Sequence, residues 1–162
     1  MTDCVQIQVR RDNIHESRLV RDGLPELADN QVRVAIDKFA LTANNVTYAV
    51  AGDMVGYWNF YPGTGDWGVV PVWGLGNMGE SNHPGLPVGE RLYGFFPMAS
   101  HATLTLGEPK PQHVTEISEH RKALPGTYNN YRRTTHEPDF IQAMEDERCL
   151  FFPLFATSYL LY

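Results

Sequence analysis

Between Gln31 and Pro97 the chain is cut into short apolar stretches by glycine and proline, and this punctuation limits what it can fold into. Val32-Arg33-Val34-Ala35-Ile36-Asp37-Lys38 alternates apolar and polar residues, the period of a strand with one buried face. Gly68 to Trp73 is a continuous apolar run, and Gly85-Leu86-Pro87-Val88-Gly89 is a turn feeding a further strand, Glu90 to Phe96. Val5 to Val9 and Ala102 to Leu106 read as strands by the same rule. Glycine reaches backbone angles that side chains penalise, and proline withholds a backbone donor. With 14 glycines and 11 prolines spread without a period, short strands and turns are favoured over long helices. The expected fold class is mainly β with a few short helices.

One domain with a substantial core fits 162 residues, and two ordinary ones do not. Hydrophobic residues at 43% and charged ones at 20% are normal for a globular protein. Formal net charge is −6, and no basic cluster exceeds Arg10-Arg11 or Arg132-Arg133. So few cations neutralise few phosphates, so neither nucleic acid nor an anionic membrane is an expected partner. No run approaches the ~18 apolar residues of a bilayer span. Cys4 and Cys149 lie near opposite ends, with no CxxC pair and no secretory leader pattern. A reduced, cytoplasmic setting is therefore expected.

Other segments are less decided. Arg10 to Arg21 is polar and ends in the turn signal Asp22-Gly23-Leu24-Pro25. Ala40 to Val50 fits a short helix or a strand equally well, and Thr115 to Arg121 fits a short polar helix or a loop. Tyr57 to Trp67 reads as an aromatic loop. Asp139 to Cys149 fits a helix with Phe140, Ala143 and Met144 on a shared face. Leu150 to Tyr162 is almost wholly apolar. Leaving such surface in water costs roughly 25 cal/mol per Å². This segment is expected to pack on its own domain, on a second copy or on a further domain.

Gly74-Leu75-Gly76-Asn77-Met78-Gly79 matches GxGxxG after an apolar strand. Dinucleotide binding also needs a helix that starts inside the motif and aims its amides at the pyrophosphate. Glu80-Ser81-Asn82-His83-Pro84-Gly85 breaks such a helix, and no acidic ribose ligand follows at about 20 residues. The glycines are expected to turn strands in a barrel, and no cofactor-binding residues are assigned. His15, His83, His101, His113, His120 and His136 lack metal-ligand spacing, so no metal ligands are assigned either. His101, after Ser100, is the one candidate for other chemistry. Without a GxSxG elbow, hydrolase activity stands only as an alternative.

Asn44, Asn45, Thr47 and Tyr48, with Thr42 just before them, form the densest group of neutral hydrogen-bonding side chains. Neutral donors polarise a carbonyl without adding a fixed charge, and a tyrosine can protonate a developing enolate. The same residue types also cap and turn loops, so both readings stand. Tyr57, Trp58, Phe60, Tyr61 and Trp67 either wall an apolar pocket or cover a core. Tyr128, Asn129, Tyr131 and Arg132 either supply an anion contact through the guanidinium or form a hydrogen-bonded loop.

The succession VRVAIDKFALTANNVTYAVAGD and VPVWGLGNMGESNHPGLPVGERLYGFFPMASHATL resembles the N-terminal domain of medium-chain dehydrogenases/reductases. VGERLYG is similar to that superfamily's VGDRVYG strand signature. The resemblance runs over residues 5–162. It is closer still to a bacterial branch classed only as a domain of unknown function, with patterns like FALTANN-TYA, PVWG-G, VGERLYG-FPMASH and LF-TSYL. It implies a GroES-like partly open β-barrel. Leu41-Thr42-Ala43 stand where zinc-dependent members carry a cysteine, Trp73-Gly74-Leu75 replace their GHE motif, and their four-cysteine lobe is absent. The resemblance therefore lies on the zinc-independent, quinone-reductase or enoyl-reductase side, where the substrate loop has an Asn and then an Asp three positions on. Thr42 and Asn45 occupy those positions.

The resemblance implies a substrate domain at residues 1–149 and, at 150–162, an apolar lead-in to a Rossmann domain that is not encoded here. The implied function is reduction of a carbonyl, quinone or activated alkene, with NADP(H) carried by that second domain and no cofactor bound by this chain alone. Tyr48, Asn45 and Thr42 would be catalytic. Asn44, Thr47, Tyr57, Trp58, Trp67, Tyr128, Tyr131 and Arg132 would bind a small-molecule substrate. The alternative is a non-catalytic GroES-like binding or scaffold module, dimerised through its apolar C-terminal segment.

Overall fold

A computed structural model describes residues 3–160. Met1, Thr2, Leu161 and Tyr162, the last two belonging to the apolar terminal segment, lie outside the described residues. Strands β1 (Asp3–Arg10), β2 (Ser17–Gly23) and β4 (Trp67–Gly68) form a three-stranded sheet in the order β2-β1-β4. Strands β3 (Gln31–Phe39), β5 (Pro71–Ser81), β6 (Arg91–Pro97), β7 (His101–Thr105), β8 (His113–Thr115) and β9 (Asn130–Arg133) form a six-stranded sheet, order β7-β3-β5-β6-β9-β8. Its paired neighbours are all antiparallel.

The six-stranded sheet curls until its two edges meet. Leu106 and Glu116 form an isolated bridge, and Gly107 N–H and Ile117 N–H donate to Thr115 O and Thr105 O, both at 2.9 Å. Closing a sheet on itself removes exposed strand edges. On the other side β1 leans in, with Ile7 N–H donating to Met98 O at 2.9 Å and Ser100 N–H to Val5 O at 2.8 Å. This is the mainly β, partly open barrel that the resemblance implies.

The alternating segment is β3, and its Val32 and Val34 are fully buried. The apolar run from Gly68 serves two sheets, ending β4 and then starting β5. Inside the barrel Trp58, Phe60, Phe95, Phe96, Leu92, Leu104 and Tyr131 form the main core. β2 is the strand that apolar alternation does not reveal. Its residues, SRLVRDG, are exposed on both faces apart from partly covered Val20, so pairing with β1 rather than burial creates it.

The glycine motif differs from expectation. Gly74, Gly76 and Gly79 do not turn strands; they lie within β5, and no helix opens there. A Cβ on Gly74 would sit 2.6 Å from Lys38 O, and one on Gly76 2.6 Å from Ala35 O. These two glycines let β3 approach β5 at its register shifts.

Ala40 to Val50 resolves as helix α1 (Ala43–Val50), followed by the single turn α2 (Gly52–Val55). The helix wins because Thr42 and Asn45 form a reciprocal capping box at its start. Asp139 to Cys149 is not one helix. A 3-10 turn at Gln142–Met144 precedes helix α3 (Glu145–Leu160), and Ile141 is still extended. The break falls where Glu145, Asp146 and Glu147 can occupy the first turn of α3 and face its positive end. Among the described residues no helix is long and apolar enough to cross a membrane.

Helix α3 crosses the outer face of the six-stranded sheet. Register places Lys38, Leu75, Tyr93, Arg132 and His113 side by side across β3, β5, β6, β9 and β8. Residues directly opposite one another share a face, so these form one row under the helix. Lys38 Nζ pairs with Glu145 at 3.1 Å and Asp146 at 2.9 Å, and Arg91 pairs with Glu145 at 2.5 Å. Cys149 packs with Ala40, Leu75 and Tyr93, and Phe152 meets Tyr93 edge-on at 5.4 Å.

Candidate functional site

The capping box that builds α1 also consumes the polar atoms of two expected site residues. Asn45 Oδ1 accepts from Thr42 N–H at 2.7 Å, and Asn45 Nδ2 donates to Pro71 O at 3.0 Å. Thr42 and Asn45 thus tie α1 to the start of β5. One turn later Tyr48 points inward, its ring 4.6 Å from Tyr57 and edge-on to Phe95 at 5.4 Å. Burial raises the Tyr48 phenol above its ordinary value, with the Trp73 side chain opposing that shift.

Thr42, Asn44, Asn45, Tyr48 and Trp73 face Cys149, Leu150 and Pro153 of α3 across a gap of about 10 Å³. That is room for roughly one water. On the far side of Trp73 a cavity of about 320 Å³ opens, lined by Tyr93, Gln112, His113, Asn130, Arg132 and Phe152 among others. Trp73 is shared by both and stacks on Tyr93 at 5.7 Å, the planes 19° apart.

Among the described residues the buried Tyr93 hydroxyl has no hydrogen-bond partner, and the Trp73 indole N–H has only a loose approach to the Tyr48 hydroxyl. An unpaired buried donor costs about 1–3 kcal/mol, so a ligand oxygen that accepts from the Tyr93 hydroxyl recovers part of that. Burial, with Cys149 adding to it, pushes the Tyr93 phenol far above its ordinary value, so it stays a neutral donor at any working pH. Burial likewise pushes the Cys149 thiol up to about 11, which keeps it protonated and poorly nucleophilic. The site offers neutral hydrogen-bond donors on an aromatic wall, which suits polarising a carbonyl oxygen.

The structure therefore brings Thr42, Asn44, Asn45 and Tyr48 to one corner. Tyr57 and Tyr128 lie behind it, their hydroxyls 3.1 Å apart and Tyr128 5.9 Å from Trp73. Arg132 lines the larger cavity. The other residues are not gathered there. Thr47 is exposed on the outer side of α1. Trp58 is core, wedged where Gly52 and Gly68 leave no room for a Cβ. Trp67 sits in the small sheet under the Arg18 guanidinium at 4.2 Å. Tyr131 is fully buried, donating to Phe95 O at 2.7 Å and meeting Tyr61 and Arg121. His101 bonds its neighbour Ser100 at 2.9 Å, and Ser100 Oγ also accepts from Val5 N–H.

Trp73, Tyr93, Cys149 and Phe152 are the site residues that sequence reasoning missed. Trp73 drew notice only for standing where other members of the resembled superfamily carry GHE. Its signal is that it is the one aromatic residue in the glycine-rich strand β5, PVWGLGNMGES. Among the described residues no group of three or more His, Cys, Asp or Glu could hold a metal ion. Gly74 to Gly79, held in β5, form no pyrophosphate cradle, so the glycine motif does not fit a dinucleotide.

The family model described as "Protein of unknown function (DUF2855)" matches residues 39–162. This chain belongs to that family. The matched region of the DUF2855 chain contains α1, β5, β6, β9 and α3, and so the whole candidate site. No curated protein matches the chain. Among solved structures it is similar to the quinone oxidoreductase from Coxiella burnetii, with 13% identity and a TM-score of 0.43 over 78% of this chain. The chain spans 40% of that structure's length.

Proposed function

We propose that this chain is the substrate-holding part of a zinc-independent, NAD(P)H-dependent oxidoreductase-like protein that reduces a carbonyl, quinone or activated alkene. The observation that supports this most is the cavity of about 320 Å³ walled by Trp73, Tyr93 and Phe152, with the Tyr93 hydroxyl a neutral buried donor that has no partner among the described residues. The substrate body lies against Trp73, Tyr93 and Phe152, and its oxygen accepts from the Tyr93 hydroxyl once a small side-chain movement uncovers that buried group. Thr42 and Asn45 act by holding α1, and hence Tyr48, in place. Resemblance to the GroES-like domain of medium-chain reductases supplies the reaction class, and a separate Rossmann domain would bring the nucleotide.

An unreactive aryl ketone, acetophenone, tests the binding half by NMR titration of the isotopically labelled chain. Saturable shifts at Trp73 and Tyr93 are expected, with Tyr93→Phe weakening binding by about 1 kcal/mol. No saturable shift at these residues sinks the reading. NADPH with a panel of quinones and enones tests the division of labour, and turnover by this chain alone would overturn it.

A second reading, a scaffold module dimerised through α3, is favoured by one observation. Phe151, Leu154, Phe155 and Tyr159 are exposed on the outer side of α3, from 47% to 83%. Such a patch marks an interaction surface, for a second copy or for the further domain. Dimers in sedimentation that dissociate on changing Phe151 and Phe155 to Ser would favour this reading, and a monomer at all concentrations would remove it.

A further inference from the structure

The proposed reading leaves the substrate's chemical class open, and Arg132 narrows it. Register sets Arg132 between Tyr93 and His113 on the face that α3 covers. It reaches the large cavity together with the amides of Gln112 and Asn130. Among the described residues that line the cavity, Arg132 carries the fixed positive charge and none is a carboxylate.

Its partnering is incomplete. Arg132 Nε donates to Glu137, but Glu137 is shared with Arg148, whose Nη1 lies 2.6 Å from it. One carboxylate thus answers two guanidiniums. Among the described residues neither terminal nitrogen of Arg132 has a hydrogen-bond partner. Asp139, on the outer rim beyond Glu137, lines the neighbouring cleft with Arg132 but does not line this cavity. The Arg132 guanidinium also stands over the Phe152 ring, 5.3 Å from its centroid, a cation–π contact.

We infer that the substrate carries an anionic group, a carboxylate by chemistry, that binds the free edge of Arg132 while its aromatic or other planar body lies against the wall formed by Trp73, Tyr93 and Phe152. A guanidinium with two free N–H groups matches a carboxylate bidentately. This inference rests on the cavity being the substrate site, as proposed above. It places the anion at Arg132 and the reducible group toward the Tyr93 hydroxyl.

4-Acetylbenzoate and its neutral methyl ester, titrated separately into the labelled chain, test it. Wild type is expected to bind the acid roughly tenfold tighter than the ester, the equivalent of about one charge-assisted hydrogen bond. That ratio is expected to fall toward one in Arg132→Leu, to return only in part in Arg132→Lys, whose single ammonium cannot bind bidentately, and to shrink in about 0.5 M salt, where the Debye length is about 4 Å. Equal binding of acid and ester by wild type overturns the anionic preference while leaving the cavity reading intact. Binding of neither overturns both. A preference that survives in Arg132→Leu overturns the assignment to this residue. If that variant does not fold, the salt dependence and the shift of the Arg132 Nε–H signal in wild type decide, and absence of both overturns the inference.

Discussion

Single atoms decide where this chain tolerates change. A Cβ on Gly68 would lie 2.4 Å from the Trp58 ring, whereas one on Gly79 meets nothing within 4 Å. Overpacking a filled core costs about 1–3 kcal/mol. Gly68→Ala is therefore expected to lose stability in that range by urea denaturation, and Gly79→Ala to stay within about 0.5 kcal/mol of the parent. The contrast is informative because Gly79 closes the GxGxxG pattern. A large loss at Gly79 would mean that the motif's last glycine has a role that packing does not explain. At the same scale, Trp73 and Gly74 show why β5 reads ambiguously: the indole serves the site while the glycine clears β3.

At the scale of elements, the closing contact is α3 on the sheet. Glu145 is nearly buried and bonded by Arg91 and Lys38, and Arg91 also pairs with Asp37 at 2.9 Å. Hydrogen bonds from Arg91, then Lys38, hold the Glu145 carboxyl below its ordinary value of 4.5. For Glu137 burial pushes upward, but bonds from Arg148 and Arg132 win and lower it. A carboxylate depressed in the folded state stabilises above its unfolded pKa, and that contribution is lost as pH falls through the folded value. Docking of α3 is thus expected to be intact at neutral pH and to weaken below the usual carboxylate range. Cys149 reports it directly. At pH 8 a thiol reagent should label half-buried Cys4 first and spare Cys149, whose thiol is held near 11. Glu145→Gln should speed Cys149 labelling at unchanged pH, and an unchanged rate would show that these ion pairs do not hold the helix.

At the scale of the whole molecule, stability depends on closing the barrel. Glu116 sits at the Leu106 bridge, its carboxylate accepting from Thr105 N–H, Ser118 N–H and the Ser118 hydroxyl, with Arg121 3.4 Å away. Both charged side chains are 2% exposed. Removing one partner strands the other in a low-dielectric interior, at about 3–5 kcal/mol. Glu116→Ala is expected to destabilise by that amount in chemical denaturation. An effect under about 1 kcal/mol would put the closure elsewhere.

Local patterning by itself determined that this chain is mainly β. The alternation of β3 marks an apolar face, whereas the apolar start of β5 and the VGERLYG strand mark segments buried on both faces, and both signals sit in the local order of side chains. It also placed Thr42 and Asn45 at a structural decision, though not which way it fell. The capping box resolves Ala40 to Val50 as helix, and Asn45 Nδ2 then ties that helix to Pro71 O, 26 residues away. Tertiary structure alone decided the site. Trp73, Tyr93, Arg132 and Phe152 meet because a sheet ordered β7-β3-β5-β6-β9-β8 sets β9 beside β6 and leaves one face for α3. Strand order and register follow from long-range pairing and from where glycine permits close approach, and neither is written in the period of any one segment.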